Sequence, residues 1–332
     1  CTESEVTLMS DVVLSIRGLS VNIPTRSGIV KPVDDITYDI RAGEILGIVG
    51  ESGAGKSMAG NAVIRLLDPP AQIATGEIWL NGTRIDNLKD VAMRRLRGKH
   101  IGMVFQDPLT SLNPLLSIGD QLTETMLTHL PISRSEAHQR AVAALEEVGI
   151  PGAAERIGSY PHEFSGGMRQ RVVIALALCA EPSLIIADEP TTALDVSVQA
   201  QIIALLKRLC RDRGAAVMLI THDMGVIAEA ADRVAVMYAG RLAELGAVRD
   251  VLTEPQHPYT HGLMASTPLA SEGKARLHQI EGAMPRLNAV PEGCPFHPRC
   301  AYAQDKCRTA PTPQIWGDQA ACWFPLIAQK VS

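Results

Sequence analysis

Apolar and polar residues alternate at the start of the chain, where Val12, Leu14 and Ile16 interleave with Val13, Ser15 and Arg17. A turn is expected around Ser27-Gly28, a second strand-like stretch over Val33 to Ile40, and another turn at Arg41-Ala42-Gly43-Glu44. Ile45 to Val49 is wholly apolar, the pattern of a strand buried on both faces. It runs directly into a glycine-rich loop, after which Lys56 to Leu67 has helical periodicity. The stretch from Ser117 to Gly158 reads as mostly helical, with Ser133-Arg134-Ser135-Glu136 as a helix-opening cap. A helix is expected from Gly166 to Cys179, a strand over Leu184 to Ala187, a helix over Val196 to Arg213 and a strand over Ala216 to Ile220. Strands alternating with helices predict an α/β fold with a mainly parallel sheet covered on both faces. The segment between Gln106 and Ser165 is long enough for a helical subdomain, placed at about 107–180.

From about Gly246 the texture changes. Prolines recur at Pro255, Pro258, Pro268, Pro285, Pro291, Pro295, Pro298, Pro311, Pro313 and Pro325, which excludes long helices and central strands. The expected division is therefore 11–245 for the core and 246–332 for an extension that needs another source of order. Cys294, Cys300, Cys307 and Cys322 cluster there, whereas Cys1, Cys179 and Cys210 are scattered.

The 332 residues are 46% hydrophobic and 20% charged, enough for a sizeable core, with net charge −5. That balance gives no electrostatic reason for a polyanion partner, so nucleic acid is not expected as main ligand. The best apolar run, Val172 to Ala180, is about half of the roughly 20 residues a membrane-spanning helix needs. Cys1 to Val13 has no basic start leading into an apolar run, so no secretory signal is expected. A soluble, cytosolic protein follows, with any membrane role exerted through partners.

Gly50-Glu51-Ser52-Gly53-Ala54-Gly55-Lys56-Ser57 fits G-x-x-x-x-G-K-[ST], the phosphate-binding loop of P-loop NTPases. Glycines let the backbone wrap around phosphates, and successive N–H groups with the following helix N-terminus hold negative charge. Lys56 is assigned to the β- and γ-phosphates of ATP and the Ser57 hydroxyl to Mg²⁺, with Gly50, Ser52, Gly53, Ala54, Gly55 and Met58 completing the cradle. Leu184-Ile185-Ile186-Ala187-Asp188-Glu189 supplies a carboxylate pair at the end of a buried strand. Asp188 is assigned to Mg²⁺ and Glu189 to polarising the attacking water.

Phe164-Ser165-Gly166-Gly167-Met168-Arg169-Gln170-Arg171 resembles the ABC signature L-S-G-G-Q, with Phe164 in place of Leu and Met168 in place of Gln. Gln106 in Phe105-Gln106-Asp107-Pro108 resembles the Q-loop, a Mg²⁺ and nucleotide contact. Thr192-Ala193-Leu194-Asp195 resembles the D-loop, and His222 in Thr221-His222-Asp223 the catalytic switch histidine. In ABC ATPases two such domains sandwich ATP head to tail. The resemblance therefore gives Ser165, Gly166, Gly167 and Met168 to the nucleotide of a partner subunit. The aromatic residue that stacks on adenine in the family is not found over Val21 to Arg26, where Ile23 and Pro24 stand.

Phe105 to Pro114, Pro255-Gln256-His257-Pro258-Tyr259-Thr260 and Cys294-Pro295-Phe296-His297-Pro298-Arg299-Cys300 closely resemble the oligopeptide/dipeptide importer ATPases. That resemblance implies a P-loop ABC ATPase driving uptake of peptides or another small solute such as nickel or glutathione. The implied partners are a second ATPase subunit (a homologue or another copy), two membrane permeases and an extracytoplasmic solute-binding protein, placing the chain at the cytoplasmic face of the membrane. A soluble ABC ATPase acting on DNA or ribosomes is the alternative, against which stand the single motif set and the acidic balance. The cysteine spacing C-x₅-C-x₆-C-x₁₄-C can hold a tetrahedral Zn²⁺ or an iron–sulfur cluster. It lacks the tight pairs of zinc knuckles, and the resemblance to peptide-importer ATPases implies a [4Fe–4S] cluster.

Overall fold

The computed structural model describes residues 11–191, 195–266, 279–315 and 319–326, with only the backbone at Pro108 and Leu109. Cys1 and the D-loop residues Thr192, Ala193 and Leu194 lie outside them. The chain divides into two units, residues 1–87 with 219–332, and residues 88–218.

In the first unit, β1 (Val12–Thr25) and β2 (Gly28–Arg41) form a long hairpin. β4 (Gln72–Leu80) and β5 (Thr83–Arg84) continue it into an antiparallel sheet of order β2-β1-β4-β5. Alternation works here because one face of the sheet is dry: Leu14, Ile16, Leu19, Val21, Ile36, Ile40 and Ile78 are fully buried. β3 (Ile45–Val49) is buried at every position. It pairs in parallel with β9 (Arg233–Tyr238), Val49 opposite Val236. β9 pairs antiparallel with β10 (Arg241–Ala247), and β10 with the short β11 (Gln319–Ala320). The helix after the glycine-rich loop spans Lys56–Val63, shorter than the periodicity to Leu67 predicts, because Arg65 turns the chain at φ 53°.

The second unit contains the parallel strands β6 (Ile101–Val104) and β7 (Leu184–Asp188), in register with Val104 opposite Ala187. The helices Ile118–His129, Arg134–Glu147, Gly166–Leu178 and Val196–Arg213 belong to it. Ser117 and Ser133 open the first two by accepting from the N–H groups of Asp120 and Glu136, so the serine cap read in the sequence is formed. Strand β8 (Ala216–Ile220) crosses the boundary between the units along the chain. No described helix is long and apolar enough to cross a membrane.

Among its described residues the extension contains only short elements, the longest helix being Pro258–Ala265 at 8 residues. It is fastened to β10 by Glu244, which is 2% exposed. The Glu244 carboxylate accepts the backbone N–H groups of Gln256 at 2.8 Å and His257 at 2.9 Å. Burial raises the Glu244 pKa and these N–H groups only partly offset it. A carboxyl whose folded pKa is raised stabilises most below its unfolded pKa, and that contribution is lost as pH rises through the folded value. Glu244→Ala orphans two buried donors and is expected to cost about 1–3 kcal/mol. Limited proteolysis around the Pro258–Ala265 helix should quicken, and the pH-dependent component should vanish from urea titrations; unchanged protection would show that Glu244 does not fasten the extension.

Candidate phosphate and cysteine sites

The phosphate loop starts where β3 ends, and neighbouring backbone dictates its glycines. A β-carbon on Gly50 would lie 2.2 Å from the Met237 carbonyl oxygen, and one on Gly55 1.9 Å from that of Pro32. Gly55 also holds φ 101° as the residue before the helix. That helix begins with Lys56, 6% exposed, whose Nζ donates to the carbonyls of Gly50 at 2.8 Å and Glu51 at 3.1 Å. A buried ammonium is tolerable only when hydrogen-bonded, so these carbonyls bend the loop around its own cation. Ser57 is exposed beside it, as are Ser52 and Gly53. His222 belongs to the same unit: it follows Thr221, whose N–H donates to Ile48 O at 3.1 Å, two residues before Gly50. Asp223 caps the next helix, accepting from Gly225 N–H at 2.7 Å.

Gln106, Asp188, Glu189, Ser165 to Met168 and Asp195 belong to the other unit. The β6–β7 register places two landmarks distant in sequence at the same strand ends. Gln106 Nε2 donates to Glu189 Oε2 at 3.4 Å, an exposed contact between residues 83 apart. Asp188 is 7% exposed, whereas Glu189 leaves the strand with φ 46°. Such a conformation is costly for a side chain with a β-carbon and concentrates where function requires it. Ser165 caps the helix Gly166–Leu178, its hydroxyl accepting from Met168 N–H at 3.3 Å, and Gly166 is exposed. Phe164, the departure from leucine, is 3% exposed and serves packing. Asp195 is exposed and precedes the helix Val196–Arg213 without capping it through its side chain.

The β1–β2 hairpin carries no aromatic residue near its tip: Ile23 pairs with Val30 and Pro24 with Ile29. Ile29 is 61% exposed, a second apolar residue there that the sequence reading did not single out.

Cys294, Cys300, Cys307 and Cys322 line one small cavity, together with His257 and Phe296. The Cys294 N–H donates to Cys307 O at 2.8 Å, and Phe324 N–H to Cys322 Sγ at 3.4 Å. Burial, then the neighbouring cysteines, pushes the Cys294 and Cys322 thiols up to about 11, and Cys300 is raised likewise. Among the described residues no group of three or more His, Cys, Asp or Glu side chains is arranged to hold a metal ion.

A family model described as ABC transporter matches residues 33–192, and one described as oligopeptide/dipeptide transporter, C-terminal region, matches 243–307. The chain is 47% identical over 316 residues to the dipeptide transport ATP-binding protein DppD of Bacillus subtilis, covering 94% of each. It is 47% identical over 328 residues to the oligopeptide transport ATP-binding protein OppD of Salmonella typhimurium, covering 98% of this chain and 97% of that one. A dimeric ATP-binding cassette solved in a post-hydrolysis state with ADP and phosphate superposes with a TM-score of 0.65 at 28% identity, covering 71% of this chain and 99% of that one. The protein is thus an ATP-binding cassette ATPase. Within that class, the chain belongs to the ATP-binding subunits of the oligopeptide/dipeptide ABC transporter family.

Residues that sequence reasoning left without a role also reach this site. Glu51, Tyr259 and Arg299 were visible only as parts of motifs; no spacing in the sequence announces that they meet. For the loop itself, Gly55→Ala combines a positive φ with a backbone clash and should cost about 1–3 kcal/mol and abolish MgATP binding in calorimetry. Binding at parental affinity would show that the observed loop is not the one that holds nucleotide.

Proposed function

We propose that this chain hydrolyses ATP to drive uptake of oligopeptides, dipeptides or a similar small solute through two membrane permeases. It works paired with a second ATPase subunit at the cytoplasmic face of the membrane, and an extracytoplasmic binding protein delivers the solute. Similarity to transport ATP-binding proteins along nearly the whole chain favours this over a soluble ATPase acting on DNA or ribosomes. Lys56 and the loop from Gly50 to Met58 hold the phosphates, while Ser57, Gln106 and Asp188 serve Mg²⁺. Ser165, Gly166, Gly167 and Met168 reach the partner's nucleotide, Asp195 belongs to the D-loop that faces it, and His222 acts beside the γ-phosphate.

The observation that supports hydrolysis most directly is the strained Glu189, past the end of a buried strand with the Gln106 amide against its carboxylate. That carboxylate is the general base for the attacking water. Glu189→Gln should keep MgATP affinity while turnover with partner subunits falls about 10²–10⁴-fold, the range for losing a positioned base. Near-parental turnover would remove Glu189 from that role.

The cofactor reading is a [4Fe–4S] cluster on Cys294, Cys300, Cys307 and Cys322. Its support is the convergence of four thiols on one cavity and the N–H···S bond to Cys322. A cubic cluster puts each thiolate on a separate iron and so spaces its ligands more widely than one tetrahedral Zn²⁺ does. Bound metal stabilises thiolates and reverses the upward pKa shifts. Anaerobically purified protein should hold about four irons per chain and little zinc; a colourless preparation with stoichiometric zinc would overturn the cluster.

A further inference from the structure

The extension makes direct contact with the phosphate loop, and the contact converges on Glu51. All three hydrogen-bonding parts of this residue are engaged. Its N–H donates to Tyr259 Oη at 3.0 Å, and its carboxylate receives Arg299 Nη1 at 2.9 and 3.1 Å. Its carbonyl takes one of the two bonds from Lys56 Nζ to the loop backbone. Four partners hold it: two come from the extension, one is the lysine assigned to the phosphates, and one is the Ala54 N–H, which donates to the same carbonyl at 3.1 Å.

The anchoring residues are themselves immobilised. Tyr259 is fully buried, with ring centroids 4.6 Å from Tyr238 and 5.4 Å from Phe296. The Arg299 side chain is 6% exposed, donates to Glu281 O at 2.9 Å and Tyr238 Oη at 3.3 Å, and lies near both the Tyr238 and Phe296 rings. Only the guanidinium is buried, the Glu51 side chain being 29% exposed, so removing Glu51 leaves a buried cation without its carboxylate. Met284 Cε also lies against the loop, 3.3 Å from where a β-carbon on Gly53 would stand.

We propose that Arg299 and Tyr259 are positioning residues for ATP binding, which fix the Glu51 peptide from behind the loop and so set where the Lys56 ammonium and the loop N–H groups stand. The inference rests on the reading of this loop as the nucleotide site. Preorganised donors bind phosphate without first spending free energy on ordering, and a loop released from its anchors must order as the nucleotide arrives. The extension thereby acts on nucleotide affinity without touching the nucleotide.

The test uses the full chain and titrates MgATP by calorimetry, with protease resistance of the extension read in parallel. Tyr259→Phe keeps the ring and removes only the acceptor for Glu51 N–H, so it probes the loop with least disturbance of the aromatic cluster. Arg299→Met and Glu51→Gln should each weaken MgATP binding about tenfold, the scale of one lost charge-assisted bond. The double variant should bind no worse than the weaker single one, because both remove the same contact. Tyr259→Phe should weaken binding several-fold with the extension as protease-resistant as in the parent, and Arg299→Lys should restore part of the Arg299→Met loss. A purely structural role predicts the reverse: faster proteolysis of the extension with MgATP affinity unchanged. Parental affinity in Tyr259→Phe, or strictly additive losses in the Glu51/Arg299 cycle, would overturn the proposal. Lys56→Ala separates the two readings: if it binds MgATP as tightly as the parent, the nucleotide assignment of the loop fails and the positioning role fails with it.

Discussion

A lysine ammonium taken out of water is the constraint around which the glycine-rich loop, the proposed nucleotide site, is built. Lys56 is nearly buried, and removing its charge from solvent is unfavourable unless carbonyls or anions replace the lost hydration. The loop supplies two carbonyls from Gly50 and Glu51, so the chain must fold back over its own side chain within six residues. That tight return leaves no room for β-carbons where the loop touches β2 and β9. The glycines follow from backbone packing against Pro32 and Met237 as much as from any phosphate. Contacts within the chain therefore shape the loop, which is the condition for backbone N–H groups to act as a preorganised anion site.

Register determines what meets within each unit. In the first unit, β3 and β9 run in parallel with Val49 opposite Val236, so Gly50 and Met237 come level as β3 ends. Tyr238, one residue further, is the platform on which Tyr259 and Phe296 of the extension pack. In the second unit, the parallel β6–β7 pair performs the same service for Gln106 and Glu189. Within each unit, candidate groups stand where its parallel strands end.

Much of this was legible in the residues. The buried strand Ile45–Val49, the serine cap at Ser133 and the helix Val196–Arg213 follow from local pattern, and the structure has them. The loop motif and acid pair were legible because their chemistry demands adjacent residues. Contacts that arise from register were not. Gln106 and Glu189 were recognisable singly, but their meeting depends on a pairing of strands more than eighty residues apart. The helix end after Val63 depends on a left-handed Arg65 that no propensity favours. Glu244 reads as a polar residue in an apolar strand, and only the structure shows the two N–H groups that make its burial tolerable.

The extension illustrates how a proline-rich segment acquires order without a core of its own. Its described helices are too short to persist alone, and its prolines withhold backbone donors. It borrows stability from the core instead: Glu244 fastens its start, Tyr238 receives its aromatic residues, and Glu51 receives Arg299. Two of these three anchors lie at or beside the glycine-rich loop, where β3 and β9 end. The extension and the loop therefore share the Glu51 contacts, in addition to those each makes on its own. Arg299 and Cys300 are adjacent in the chain, so whatever fixes the backbone at Cys300 also fixes the guanidinium that holds Glu51. The cysteine-lined cavity and the phosphate loop are linked through the Arg299–Glu51 ion pair and through Tyr259, which accepts the Glu51 N–H and packs on Phe296.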